Sequence, residues 1–190
     1  MDRVEYITSR IRGCVLDVGY YACSLHKEII KAHGAINVYG VDTETKKENT
    51  YYKRASAEKI PFPNKKFDSI VAGELIEHLK NPEKFIKEAN RILKKNGKLI
   101  ITTPNKDSLM NKIFHNNETK IHLSLFNYDE LKRMLKENEF EIIDFSPMPY
   151  TIESSEGSSN KWSFFPRKII SMVLPKKLKE EIVLTARKVK

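Results

Sequence analysis

Seven short apolar runs, at residues 14–18, 36–41, 51–55, 67–72, 98–103, 140–145 and 182–186, have the length and composition of β-strands. Helix-like stretches with one apolar face fall between several of them. Residues 25–33 carry one, "NPEKFIKEANRILKKNG" (81–97) a second, and "NYDELKRMLKENEF" (127–140) a third; a short leading helix is expected over residues 2–11. In the second, Asn81 can cap the first turn, Pro82 fits the position after it, and Gly97 lies just beyond the expected end. Strands and helices alternating in this way build βαβ units. The expected fold is therefore α/β, a doubly wound, mostly parallel, Rossmann-like sheet with helices on both faces.

Sheets of this type bind ligands outside the carboxyl ends of their strands, so the residues at those ends matter most. The first run ends in Asp17-Val18-Gly19, the second in Asp42, the third at Ser56-Ala57-Glu58, the fourth at Gly73-Glu74 and the fifth at Thr103-Pro104-Asn105. Acids dominate. The glycine-rich fingerprint that cradles a diphosphate is absent, and no Lys or Arg stands directly after either of the first two runs, at 19–24 or 42–45. A nicotinamide-dependent dehydrogenase is disfavoured accordingly. Asp17 points to a ligand group of positive charge, and Asp42 suits a ribose, whose two hydroxyls one carboxylate can accept together.

The motifs VLDVG (15–19), VYGVD (38–42), ASAEKIPFP (55–63), FDSIVAGELIEHLKNP (67–82) and EANRILKKNGKLIITTPN (88–105), with a final IVLTARK (182–188), resemble the class I S-adenosylmethionine-dependent methyltransferases. The resemblance spans nearly the whole chain in the family's order. It implies a seven-stranded sheet, S-adenosylmethionine as cofactor, and a cofactor site of Asp17, Gly19, Tyr21, Asp42, Ser56, Ala57, Glu58 and Glu74. It also carries a departure: family members usually have glycine where Tyr21 and Cys23 stand, and an acid where Ser56 stands. Because S-adenosylmethionine has no phosphate, one glycine for a tight turn and one acid for the ammonium meet its minimum. Tyr21 either lines that pocket or blocks it.

"GELIEHL" places Glu74, Glu77 and His78 at i, i+3 and i+4, which on a helical turn is one face. Two readings stand side by side. In one, these residues cap or brace neighbouring elements. In the other, whose spacing resembles ubiquinone-pathway O-methyltransferases and small-RNA 2′-O-methyltransferases, Glu74, Glu77, His78 and His122 hold Mg²⁺ or Mn²⁺, with His115 a lesser candidate. If the nucleophile is a hydroxyl, His78 assisted by Glu77 is the candidate base.

The net charge is +9, and residues 161–190 carry nine Lys and Arg against two Asp and Glu, while the rest of the chain is nearly neutral. That distribution argues against a fold built wholly around nucleic acid. RNA methylation is kept as a lesser alternative, along with contact between the basic C-terminal segment and a membrane surface. A third alternative is a non-catalytic module that keeps the fold with a weakened cofactor site. Residues 146–180 form an insertion before the last strand whose Trp162, Phe164 and Phe165 suit a lid over a small, lipid-like or glycan acceptor, with the Ser/Gly-rich 153–160 as a loop. A single domain over 1–190 is expected. Two cysteines, no signal-peptide layout and no apolar run near the roughly 18 residues of a membrane helix suggest a cytoplasmic protein.

Overall fold

The computed structural model describes residues 2–21, 23–108, 123–148 and 174–190. Helix α1 (Arg3–Arg10) is capped by the Asp2 carboxylate, which accepts from the Glu5 amide. Then follow β1 (Val15–Val18), α2 (Leu25–His33), β2 (Val38–Asp42), β3 (Tyr52–Arg54), β4 (Phe67–Gly73), α3 (Pro82–Ile92), β5 (Leu93–Pro104), α4 (Tyr128–Glu137), β6 (Phe140–Phe145) and β7 (Glu181–Lys188). Helix α4 starts with a reciprocal capping box between Asn127 and Glu130.

The seven strands form one sheet in the order β3-β2-β1-β4-β5-β7-β6, and β7 runs antiparallel to both of its neighbours. The strand order reverses between β1 and β4, so the crevice for a ligand opens there, at the carboxyl ends. Alternation along the strands divides the core. Val15, Val38, Val71, Ile100 and Val183 meet Tyr6 and Ile7 of α1 and Leu25 and Ile29 of α2. Leu16, Val41, Ile70, Leu99, Ile101 and Leu184 meet Phe85, Ile86 and Ala89 of α3 and Leu131 and Leu135 of α4.

Two expectations need correction. Helix α3 stops at Ile92 and not just before Gly97, because β5 begins at Leu93, which pairs with Phe67 of β4. The Leu93 side chain is fully buried, and the Lys188 ammonium donates to the carbonyls of Asn90 and Leu93 at 2.7 and 3.1 Å, satisfying the helix end that Gly97 was expected to serve. The E-x-x-E-H stretch is also not one helical face. Only Ile76–His78 forms a single 3₁₀ turn, and Glu74 precedes it with φ of 50°.

Candidate functional site

The loop leaving β1 turns at Gly19, whose φ is 82° and whose amide donates to the Val41 carbonyl at 2.8 Å. A Cβ there would meet Leu75 at 3.0 Å, so conformation and space both favour glycine. Tyr21 does not have a positive φ, and glycine is not required at that position. Tyr21 lies at the surface. It is 41% exposed, with the Lys46 ammonium 5.7 Å from its ring centroid.

The residue that turns inward is Tyr20, which the sequence reading did not single out. Its ring lies 4.7 Å from His26 and 5.2 Å from Tyr52, centroid to centroid, and its hydroxyl is 3.2 Å from the Thr45 hydroxyl. This aromatic group joins β1, α2, β2 and β3 beneath the loop. Asp42 organises the loop from the other side: the Tyr21 amide donates to Oδ2 at 3.0 Å and the Glu44 amide to Oδ1 at 2.8 Å. Each carboxylate oxygen has a second lone pair with which to accept from a ligand hydroxyl.

Asp17 is buried, and its Oδ2 lies 2.9 Å from Nδ1 of His26, whose Nε2 lies 3.2 Å from the Tyr52 hydroxyl. Burial pushes the Asp17 carboxyl above its usual range, opposed by the hydrogen bond to His26. At the end of β3, the Ser56 hydroxyl accepts from the Glu58 amide at 3.1 Å, and Ala57 packs into the core. Glu58 turns away to accept from the Asn81 amide at 2.9 Å, bracing the start of α3.

At the end of β4 the two glutamates part company. Thr102 donates to Oε1 of Glu74 at 3.2 Å, and Thr103 donates to Oε2 of Glu77 at 2.8 Å. Because consecutive strand residues point to opposite faces, the carboxylates are held on opposite faces of β5. Glu77 is fully buried; Nε2 of His78 approaches its Oε1 at 3.9 Å, and that oxygen has no hydrogen-bond partner. Burial, then the charge of Glu74, pushes the Glu77 carboxyl up to about 8.

A second residue missed in the sequence stands beside Glu74. Arg3, buried on α1, reaches Oε1 of Glu74 and Oε1 of Glu181 with one guanidinium nitrogen, at 3.4 Å each. Its Nε and the Oε2 of Glu181 are buried without partners. The signal for Arg3 was faint: a cation on the inner face of a leading helix, where a buried charge implies a buried counter-charge. Among the described residues, no three His, Cys, Asp or Glu side chains converge as a metal ion would need. His122, His115, residues 153–160, Trp162, Phe164, Phe165 and the 149–173 portion of the 146–180 insertion lie outside the described residues. In the described end of the insertion, the carbonyls of Lys177 and Lys179 accept from Asn105 at 2.9 and 2.7 Å, fastening that segment to the end of β5, and Lys177 pairs with Asp129. No helix among the described residues is long and apolar enough to cross a membrane.

A family model described as a methyltransferase domain matches residues 2–144, three-quarters of the chain and all of the crevice except Glu181. The chain belongs to the methyltransferase domain family. An uncharacterized protein of Methanocaldococcus jannaschii is 33% identical over 93 residues, covering 47% of this chain and 45% of its own. A ubiquinone biosynthesis O-methyltransferase of Pelagibacter ubique is 38% identical over 89 residues, covering 47% of this chain and 33% of its own. The chain thus matches less than half the length of these two relatives. The YcgJ protein of Bacillus subtilis superimposes with a TM-score of 0.67 at 17% identity, over 98% of both chains. A Burkholderia thailandensis 1,6-didemethyltoxoflavin-N1-methyltransferase, solved with its namesake compound and S-adenosylhomocysteine, gives 0.64 at 15% identity, over 97% of this chain and 75% of that one. At such identities the likeness establishes the fold.

The family implies S-adenosylmethionine, and the residues of this methyltransferase domain fit it. Gly19 keeps the backbone bare where the loop must come close. The crevice is bracketed by a carboxylate able to accept two hydroxyls, Asp42, and by a guanidinium with an unused donor, Arg3.

Proposed function

We propose that this chain is an S-adenosylmethionine-dependent methyltransferase acting on a hydroxyl of a small or lipid-like acceptor. The observation that carries the reading is the pairing of Asp42 at one end of the switch-point crevice with the buried Arg3 guanidinium at the other. A nucleoside joined to an amino acid, with no phosphate between, presents ribose hydroxyls to the first and a carboxylate to the second. Bound there, the cofactor supplies a methyl group already activated by its sulfonium. The protein's part is to orient and to exclude water. Gly19 allows close backbone approach, and Ser56 with Ala57 border the adenine side.

Oxygen as the methylated atom is favoured by the relatives named ubiquinone biosynthesis O-methyltransferase, which are similar over 47–55% of this chain. A hydroxyl nucleophile needs a proton acceptor, and His78, on the 3₁₀ turn that follows β4 and with its side chain 39% exposed, is assigned that role. The insertion at 146–180 is assigned to the acceptor side. Titration of the protein with S-adenosylhomocysteine tests the reading. Saturable heat with one site per chain supports it, and no heat at millimolar ligand overturns it in favour of a module without cofactor. The acceptor is then sought by comparing quinone, phenolic and lipid extracts for methyl incorporation.

A further inference from the structure

We infer that Glu181 receives the α-ammonium of the cofactor, the role the sequence suggests for Asp17. The assignment rests on the cofactor reading above and specifies how its amino-acid end is held.

Strand β7 is the one that runs against its neighbours, so its first residue, Glu181, stands at the carboxyl ends of β4 and β5, opposite Pro104. Its side chain is almost wholly buried, on the same sheet face as Arg3 and Glu74. Two carboxylates share one guanidinium nitrogen there, each at 3.4 Å, well beyond the roughly 2.7–2.9 Å of a well-formed charge-assisted bond. Meanwhile Nε of Arg3 and Oε2 of Glu181 have no hydrogen-bond partner, and burial together with the adjacent Glu74 holds the Glu181 carboxyl above its usual range, opposed by Arg3. A buried donor and a buried acceptor left unmade on two touching side chains are costly, and most such groups in folded proteins are satisfied. The group that would satisfy both carries an anion and a cationic donor side by side, which describes the carboxylate and ammonium of an α-amino acid.

The competing carboxylates are engaged elsewhere. Asp17 is bound by His26 at 2.9 Å, and Glu77 is bound by Thr103 on the opposite face. Asp42 holds two loop amides at the ribose end. Glu74 has Oε1 occupied by Thr102 and Arg3, and its side chain is 31% exposed, so water meets its charge where the buried Glu181 has none.

The test is calorimetric titration of the full chain with three probes: S-adenosylhomocysteine, 5′-methylthioadenosine, which lacks the amino-acid end, and the deaminated analogue of S-adenosylhomocysteine, which keeps the carboxylate alone. Glu181→Gln is expected to weaken S-adenosylhomocysteine by about 10- to 100-fold while changing methylthioadenosine less than about twofold. The deaminated analogue should bind wild type and Glu181→Gln alike. Asp17→Asn should leave the ratio of the first two affinities as in wild type. Unchanged S-adenosylhomocysteine binding in Glu181→Gln, or equal loss of both ligands in a variant that still melts cooperatively, overturns the assignment. Should that variant not fold, wild type alone decides: equal affinity for S-adenosylhomocysteine and its deaminated analogue overturns it, and a 10-fold or greater preference for the former supports it. Wild type that binds neither nucleoside overturns the cofactor reading itself, and this assignment with it.

Discussion

The ring of Tyr20 rests directly on Gly40: a Cβ at position 40 would come within 2.6 Å of the Tyr20 ring and within 2.8 Å of the Tyr52 ring. The need for glycine has moved from the loop to the strand beneath it. A family loop with several glycines approaches its ligand because the loop is bare. Here one glycine makes the turn, and an inward tyrosine fixes the remainder by filling the space that a bare Gly40 leaves.

Gly40→Ala is accordingly expected to be overpacked, costing about 1–3 kcal/mol of stability, because rings braced by His26 and Thr45 cannot both retreat. Urea denaturation measures this. Adding Tyr20→Leu to Gly40→Ala should cost less than the sum of the two single changes, since one defect relieves the other. Additive costs would mean that the Tyr20 ring does not depend on the bare strand.

Tyr21→Gly restores the family residue at the position that most suggested a disabled site. Since Tyr21 is exposed and its φ is not positive, the expected change in S-adenosylhomocysteine affinity is below about threefold, with a stability loss of about 0.5–1 kcal/mol from added chain entropy. Calorimetry and denaturation read the two separately. A large gain in affinity would show that the ring obstructs the ligand.

How much of this was legible in the sequence depended on how local the cause was. Helix α2 begins and ends where the apolar period of residues 25–33 places it, because that signal is internal to the segment. The end of α3 was misplaced because it is set by a strand pairing with Phe67 and by Lys188, about 95 residues further on. The carboxyl-end residues could be named in order, since the fold class alone puts them there. Their partners could not: Asp17 with His26, Glu58 with the Asn81 amide, and Glu74 with Arg3 are tertiary choices. Glu74 and Glu77 were expected on one face because i, i+3 spacing presumes a helix; the left-handed φ of Glu74 breaks that premise.

Arg3→Met removes the cation between the buried Glu181 and the partly exposed Glu74 while keeping most of the side-chain volume. Breaking a buried pair from one side typically costs about 3–5 kcal/mol, and a loss of that size is expected in urea denaturation. Combining Arg3→Met with Glu181→Gln should recover a substantial part of it, because the uncompensated charge is then removed as well. No recovery would place the main cost in packing of α1 and not in the charge cluster.

Glu77 gives the fold a pH dependence of defined sign. Its carboxyl titrates near 8 when folded, against an ordinary value of 4.5, because burial and the Glu74 charge disfavour its ionised form. The folded state therefore holds a proton that the unfolded chain has already released, and stability falls as pH rises from about 4.5 until the folded group itself ionises near 8. Glu77→Gln keeps the shape and an acceptor for Thr103 but cannot ionise. Between pH 6 and 9, wild type is expected to lose on the order of 2 kcal/mol relative to Glu77→Gln. Parallel urea series of the two proteins across that range isolate the contribution from all other titrating groups. Curves that stay parallel would mean that Glu77 is ionised in the folded protein throughout, and that the Thr103 hydroxyl and Arg3 outweigh its burial.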